Sequence, residues 1–251
     1  LMFLGCPIRM ILRLGGGDLN ALFGIAGFAG GIGFGTIFLK RGYSLQRTYA
    51  LSKLESAMMP AIQVGLLVLV VTAPAFIFFS QKGPGAMHAP WLISLAAGLV
   101  VGGLSQVSRL CTVGGFRDLF LFKKSILIFG YLAVLVGVFV VNISFGNFHL
   151  GFENQPIAHT DGLWNFLGMA LAGFCSVLLG GCPLRQLIMT GEGNSDSAVT
   201  VLGLAAGAAF AHNFGLAATG AGPTLNGEIA VGVGFVVALI IAILNTKRAN
   251  A

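Results

Sequence analysis

Charge is scarce in this sequence. Of 251 residues only 9% are Asp, Glu, Lys or Arg, against about 25% in a soluble domain. Hydrophobic residues make up 56%, and the mean hydropathy is +0.92. That balance excludes a chain that stays in water, so its apolar surface must face lipid. Acidic residues are the scarcest charged class, 8 against 14 Lys and Arg, for a formal charge of +6. The basic residues sit at segment ends and in motifs and do not line one solvated face, which excludes a nucleic-acid footprint. Cysteine is also rare. Four residues with no CxxC pair argue against a disulfide framework or a structural zinc site. Walker A, GxSxG and HExxH words are missing. The sequence therefore points away from an enzyme, and no metal or cofactor is expected. Without an ATPase, any transport would be passive, ion-coupled or pulled by downstream metabolism.

Glycine, by contrast, is abundant at 38 residues, and close helix approach in a bilayer favours small residues. Gly31-Ile32-Gly33-Phe34-Gly35 lies inside an apolar run and reads as helix packing. Glycine also marks a repeat. Gly5-Cys6-Pro7-Ile8-Arg9 returns as Gly181-Cys182-Pro183-Leu184-Arg185. In the same register, Gly15 and Gly17 match Gly191 and Gly193, and Gly27 and Gly31 match Gly203 and Gly207. Each copy puts a cysteine and an arginine three residues apart at the mouth of an apolar segment. Polar groups at hydrocarbon depth are costly unless they serve a function. A third cysteine lies in Ser108-Arg109-Leu110-Cys111-Thr112-Val113-Gly114-Gly115-Phe116-Arg117-Asp118. There Asp118 can pair with Arg117, and Gly114-Gly115 allow a sharp turn or close approach to a ligand.

A spanning helix needs about 20 apolar residues. Full spans are predicted at Leu19–Leu39, Ala57–Phe79, Ser125–Val141, Ala198–Phe214 and Ile229–Leu244. Two shorter runs, Trp91–Val107 and Leu163–Leu179, each end in a cysteine motif. Short or interrupted segments in corresponding places point to a site built from broken helices. Irregular backbone at that depth must be buried in protein or line a cavity.

Lys and Arg set the orientation. The basic loop Lys40–Lys53, the pair Lys123-Lys124 and the terminal Lys247-Arg248 are placed in the cytoplasm, and the loop 142–162, without Lys or Arg, outside. The two GCPxR copies then face opposite ways. The predicted fold is an all-α integral membrane protein, an inverted-repeat bundle of full spans and short re-entrant helices. Residues 1–90 form the remainder of the first repeat, and residues 91–251 the second. The chain starts at Leu1-Met2-Phe3 inside an apolar run. Residue 1 is read as an internal or processed position, and the symmetry calls for a first-repeat partner of the Cys111 motif before it.

These words carry a resemblance that covers essentially the whole chain. It resembles the YeeE/YedE family of bacterial inner-membrane proteins, whose members take up sulfur compounds such as thiosulfate. The GCPxR words, the SRLCxVGGxRD word and GGCPLRQLIMTGEGNSDSAVTVLG are most similar to the YedE branch, described as selenium transporters. The resemblance implies that cysteines in glycine-rich re-entrant segments lie along the substrate path, and Cys6, Cys111 and Cys182 match those motifs. Members of the YedE branch usually begin with a further cysteine-bearing segment.

The chemistry agrees from below. A thiosulfate-like or selenium oxyanion has oxygens that take N–H donors from arginine and helix N-termini. Its terminal sulfur suits a thiol. Proline favours the first helical turn, so GCP aims free amides at a pathway, and several weak sites in series suit passage. The predicted path is Cys6, Cys111 and Cys182 with Arg9, Arg109, Arg117 and Arg185, supported by Gly5, Pro7, Gly114, Gly115, Asp118, Gly181 and Pro183. The alternative is a membrane thiol enzyme or sulfur-relay partner that passes sulfur to a cytoplasmic carrier protein.

The remaining residues read more plainly. Cys175 is a packing residue, and Arg13 an interfacial anchor. Asp18 and Asp196 are helix caps, and Glu192 is a cap, a gate or a partner of Arg185. His88 and His159 are solvated in outer loops. His212 is a buried neutral histidine or, in the sharper reading, a proton-coupling group. The stretch Phe145–Asp161 is polar and placed to fold over the entrance.

Overall fold

The computed structural model describes residues 2, 3, 5–45, 52–73 and 89–246. It is all helical, with 72% helix and no strand among the described residues. The helices are α1 (Pro7–Gly15), α2 (Asn20–Lys40), α3 (Lys53–Thr72), α4 (Trp91–Val107), α5 (Thr112–Phe122), α6 (Ile126–Ser144), α7 (Gly162–Leu178), α8 (Pro183–Gly191), α9 (Ser195–Asn213) and α10 (Leu225–Leu244). Among the described residues, five segments are long and apolar enough to cross a membrane. These are α2, α6, α10 and two interrupted ones, Trp91–Phe122 with α4 and α5, and Gly162–Gly191 with α7 and α8. The expected short segments are thus the first parts of longer broken runs. α9 forms where a span was expected but is not among the five; Ser195, Asp196, His212 and Asn213 at its ends lower its hydropathy. The expected span Ala57–Phe79 is described only as far as its helix, which ends at Thr72. Residues 74–79 and His88 lie outside the described residues.

The sequence repeat has a counterpart in local structure. α1 and α8 both start at the proline after the cysteine and both run nine residues to a glycine. Two residues later Gly17 (φ 99°) and Gly193 (φ 86°) are left-handed. The amides of Asp18 and Asn194 reach back to the carbonyls of Arg13 and Met189, the bond that closes a Schellman cap. α7 ends the same way. Gly180 has φ 83°, and the Gly181 amide bonds the Ser176 carbonyl. That reversal delivers Cys182 to the start of α8.

The chain forms two compact units, Leu1–Arg47 with Leu110–Leu184 and Gly203–Ala251, and Thr48–Arg109 with Arg185–Leu202. In the first, α2 and α7 cross at glycine. A Cβ at Gly27 would collide with the Phe166 carbonyl, at Gly31 with the Ala170 carbonyl, and at Gly173 with the Phe28 carbonyl. Phe28, Ile32 and Phe174 are fully buried at this crossing. Phe34 and Phe38 stack against Phe174 at 5.0 and 5.8 Å between ring centroids. Cys175 packs beside that aromatic cluster, as expected of a small hydrophobe.

Three expectations need correction in this unit. Arg13 is no surface anchor. It is 8% exposed, its Nε donates to Asp18 Oδ2 at 2.6 Å and its Nη1 to the Phe3 carbonyl at 2.7 Å, and its guanidinium lies 4.2 Å over the Phe3 ring. Asp18 does accept from the Asn20 amide at the start of α2, but its main partner is Arg13. His159 is not solvated. It is 3% exposed, with Nε2 2.6 Å from the Met2 carbonyl. The stretch around Gly151 is strapped to the α1–α2 turn, since Leu19 and Gly151, Gly151 and Gly17, and His149 and Gly16 share backbone hydrogen bonds. His212, expected to be buried, is exposed on the chain. In the second unit, Asn194 Oδ1 accepts from the Ser197 amide, so Asn194 caps α9 and Asp196 lies in its first turn.

Breaking a buried ion pair leaves a charge without compensation and costs about 3–5 kcal/mol. Asp18→Asn keeps an oxygen for Asn20 yet removes the charge facing Arg13. Thermal unfolding of the purified variant in detergent should show a clearly lowered midpoint. An unchanged midpoint would show that the pair contributes nothing.

Candidate functional site

Three short helices present the three predicted cysteines in the same way. Cys6 is the N-cap of α1, and Cys111 the N-cap of α5. Cys182 directly precedes Pro183, the first residue of α8. The first amides of each helix have no carbonyl partner within the helix, so each thiol sits at the positive end of a helix dipole. The Cys6 thiol caps nothing and is exposed. Cys111 Sγ accepts from the Gly114 amide at 3.3 Å.

The tertiary structure brings these cysteines together. The Cys111 thiol is within hydrogen-bonding reach of both the thiol and the backbone of Cys182. Cys182 is 1% exposed, at the heart of the core that holds Phe28, Ile32 and Val177. Tyr131, on α6, joins Cys6 to this pair. Its hydroxyl donates to the Pro7 carbonyl at 3.4 Å, its ring meets Phe116 edge-on at 5.8 Å, and it lies within electrostatic range of both Cys6 and Cys182. The thiols therefore make two stations, Cys6 and the Cys111–Cys182 contact, with a buried phenol beside them.

The predicted glycines act through packing. Gly114 and Gly115 make no turn and occupy the first turn of α5. A Cβ there would meet the Leu127 side chain at 3.1 Å or the Ile128 amide nitrogen at 3.3 Å, so their absence of a side chain lets α5 approach the start of α6. A Cβ at Gly5 would lie 2.9 Å from Arg9 Cδ, so the arginine stem lies over that glycine. Gly181 is buried and completes the cap of α7.

The arginines divide. Arg9 and Arg117 belong to the first unit, Arg109 and Arg185 to the second. Arg117 pairs with Asp118 at 2.9 Å, as their adjacency allowed. Arg185 Nη1 donates to Gln106 Oε1 at 2.8 Å. Arg109 is exposed in a left-handed conformation, φ 52°. Glu192 is also exposed.

Sequence reasoning missed Tyr131, Gln106 and Thr112. Thr112 Oγ1 is buried beside Cys111 with no hydrogen-bond partner among the described residues. Its position next to the cysteine was the one signal available. Tyr131 is hidden in an apolar run, and Gln106 lies just outside the third motif.

Such an arrangement can hold a small anion by amides and arginine and meet a soft atom by thiols, without transferring electrons. A family model described as Sulphur transport matches residues 107–247, which includes the second and third cysteine motifs. No curated protein and no solved structure matches the chain.

Proposed function

Because the chain belongs to the sulphur transport family, we propose that it carries a small inorganic sulfur anion across the membrane along its cysteines, from Cys6 to the Cys111–Cys182 contact. The observation that carries this reading is the meeting of Cys111 and Cys182 at the starts of α5 and α8. Two motifs more than seventy residues apart in sequence converge on one pair of thiols. Oxygens of the substrate bind helix amides and arginine, while its terminal sulfur moves between thiols as weak S–H donors. Arg9 serves the first station, and the other predicted arginines flank the motifs that hold the second. Thiosulfate is the first substrate and a selenium oxyanion the second, in keeping with the resemblance to the YedE branch.

The resemblance to the YeeE/YedE family implies a bacterial inner membrane, and the positions of Lys and Arg favour a cytoplasmic C-terminus. The matching local geometry of α1 and α8 supports a repeat, and the loop charges favour halves of opposite orientation. The two halves are 1–90 and 91–251. A cytoplasmic sulfur carrier would then draw the substrate onward.

Proteoliposomes loaded with the purified chain test this directly. Labelled thiosulfate should accumulate saturably above empty liposomes, and unlabelled thiosulfate should suppress the signal more strongly than selenite. Stronger suppression by selenite would make selenium the substrate. Accumulation no greater than in empty liposomes would end the transport reading, and label retained covalently on denatured protein would replace the non-covalent path by a sulfur relay.

A further inference from the structure

Beside the first thiol lies a cavity of about 690 Å³ whose lining includes Cys6, Arg9, Arg13, Asp18, Asn147 and His149. Its residues come from α1, the α1–α2 turn, the end of α6 and the stretch strapped over that turn, all within the first unit. Arg13 is more than nine-tenths buried and is held by Asp18 and the Phe3 carbonyl. Arg9 makes no ion pair or hydrogen bond among the described residues. Since Asp18 neutralises Arg13, the lining keeps one net positive charge, that of Arg9. The side chains of Asn147 and His149 likewise have no hydrogen bond among the described residues and supply further donors.

We propose that this cavity is a vestibule that holds a small divalent oxyanion by its oxygens before the thiols act. This rests on the transport reading above and adds a separate recognition step to it. Arg9 supplies the attracting charge, the Asn147 amide and the His149 ring supply hydrogen bonds, and Cys6 at the same cavity meets the soft terminal atom. The vestibule's hydrogen-bond donors read oxygens, so it accepts sulfate as well as thiosulfate. Discrimination between the two falls to the thiols, Cys6 first and then Cys111 and Cys182.

Equilibrium binding of labelled sulfate to the purified full chain in detergent tests the vestibule without requiring transport. The chain should bind sulfate, and unlabelled thiosulfate should displace it. Arg9→Gln removes the charge and Asn147→Asp adds a repelling one at an exposed position. Each should weaken sulfate binding about tenfold, the scale of a charge-assisted hydrogen bond, with an unchanged thermal midpoint. Cys111→Ala should bind sulfate as the parent does while losing uptake. Sulfate bound equally by the parent and both vestibule variants would overturn the proposal, as would no binding at all. Displacement by phosphatidylglycerol but not by thiosulfate would also overturn it, because the phosphate site would then belong to lipid. If sulfate binding follows this pattern but thiosulfate never accumulates, the vestibule stands and the transport reading falls. If thiosulfate accumulates but sulfate does not bind, the reverse holds.

Discussion

Cys111→Ala is expected to reduce thiosulfate uptake at least about tenfold, the rate equivalent of one lost contact of about 1.4 kcal/mol in the limiting step. The same loss is expected of Cys182→Ala. The two thiols are in contact, so they act as one unit, and the double variant should be little worse than either single one. Cys111 also caps α5 through Gly114. Losing a cap costs about 1 kcal/mol, which would confuse a drop in uptake with a drop in folded protein. Cys111→Ser separates the two effects. Its hydroxyl keeps a cap acceptor but is a hard atom with a shorter reach, so it should hold the thermal midpoint near the parent value while uptake stays low. Uptake at the parental level in both alanine variants would remove the cysteines from the path.

Gly31→Leu should leave little or no monodisperse protein after extraction. The Cβ of any larger residue at Gly31 collides with the Ala170 carbonyl, and a backbone carbonyl in a helix cannot move aside as a side-chain end can. Overpacking a core costs about 1–3 kcal/mol and occasionally more, and here two helices would have to part along a seam that also holds Gly27, Gly35 and Gly173. Small residues at such crossings allow the backbone approach that replaces hydrophobic drive in lipid. Gly207 is the position matched to Gly31 by the repeat, and a Cβ there meets nothing within 4 Å. Gly207→Leu is therefore expected to give yields and size-exclusion profiles close to the parent. Equal behaviour of the two variants would show that the α2–α7 crossing does not depend on Gly31.

Much of the site's local form was legible because it depends on neighbours in sequence. GCP words specify helix starts, since proline suits the first turn and the preceding residue takes extended geometry. Cys6 and Cys182 stand at such starts, and Arg117 meets its neighbour Asp118. Arg13 was misread for a different reason. Asp18 is five residues away, a spacing that does not place two side chains on one face of a continuous helix. The left-handed Gly17 folds the chain back and brings them to 2.6 Å. His159 was placed in solvent because its surroundings in sequence are polar, but its partner is the carbonyl of Met2, 157 residues earlier. Gly31 and Gly207 match in sequence and differ in surroundings, because only the first is packed directly against the α7 backbone.

By itself the sequence determined that this chain enters a membrane, where its helices begin and break, and which cysteines stand at those breaks. Hydrophobicity, proline geometry and left-handed glycine act over a few residues and need no fold to be read. Only the tertiary structure decided that Cys111 meets Cys182, that Tyr131 packs against Phe116 and bonds the Pro7 carbonyl, and that Arg13 is buried beside Asp18. Those contacts depend on how closely α2 approaches α7 and α5 approaches α6. Such distances are set by packing between segments far apart in the chain, which no local pattern encodes.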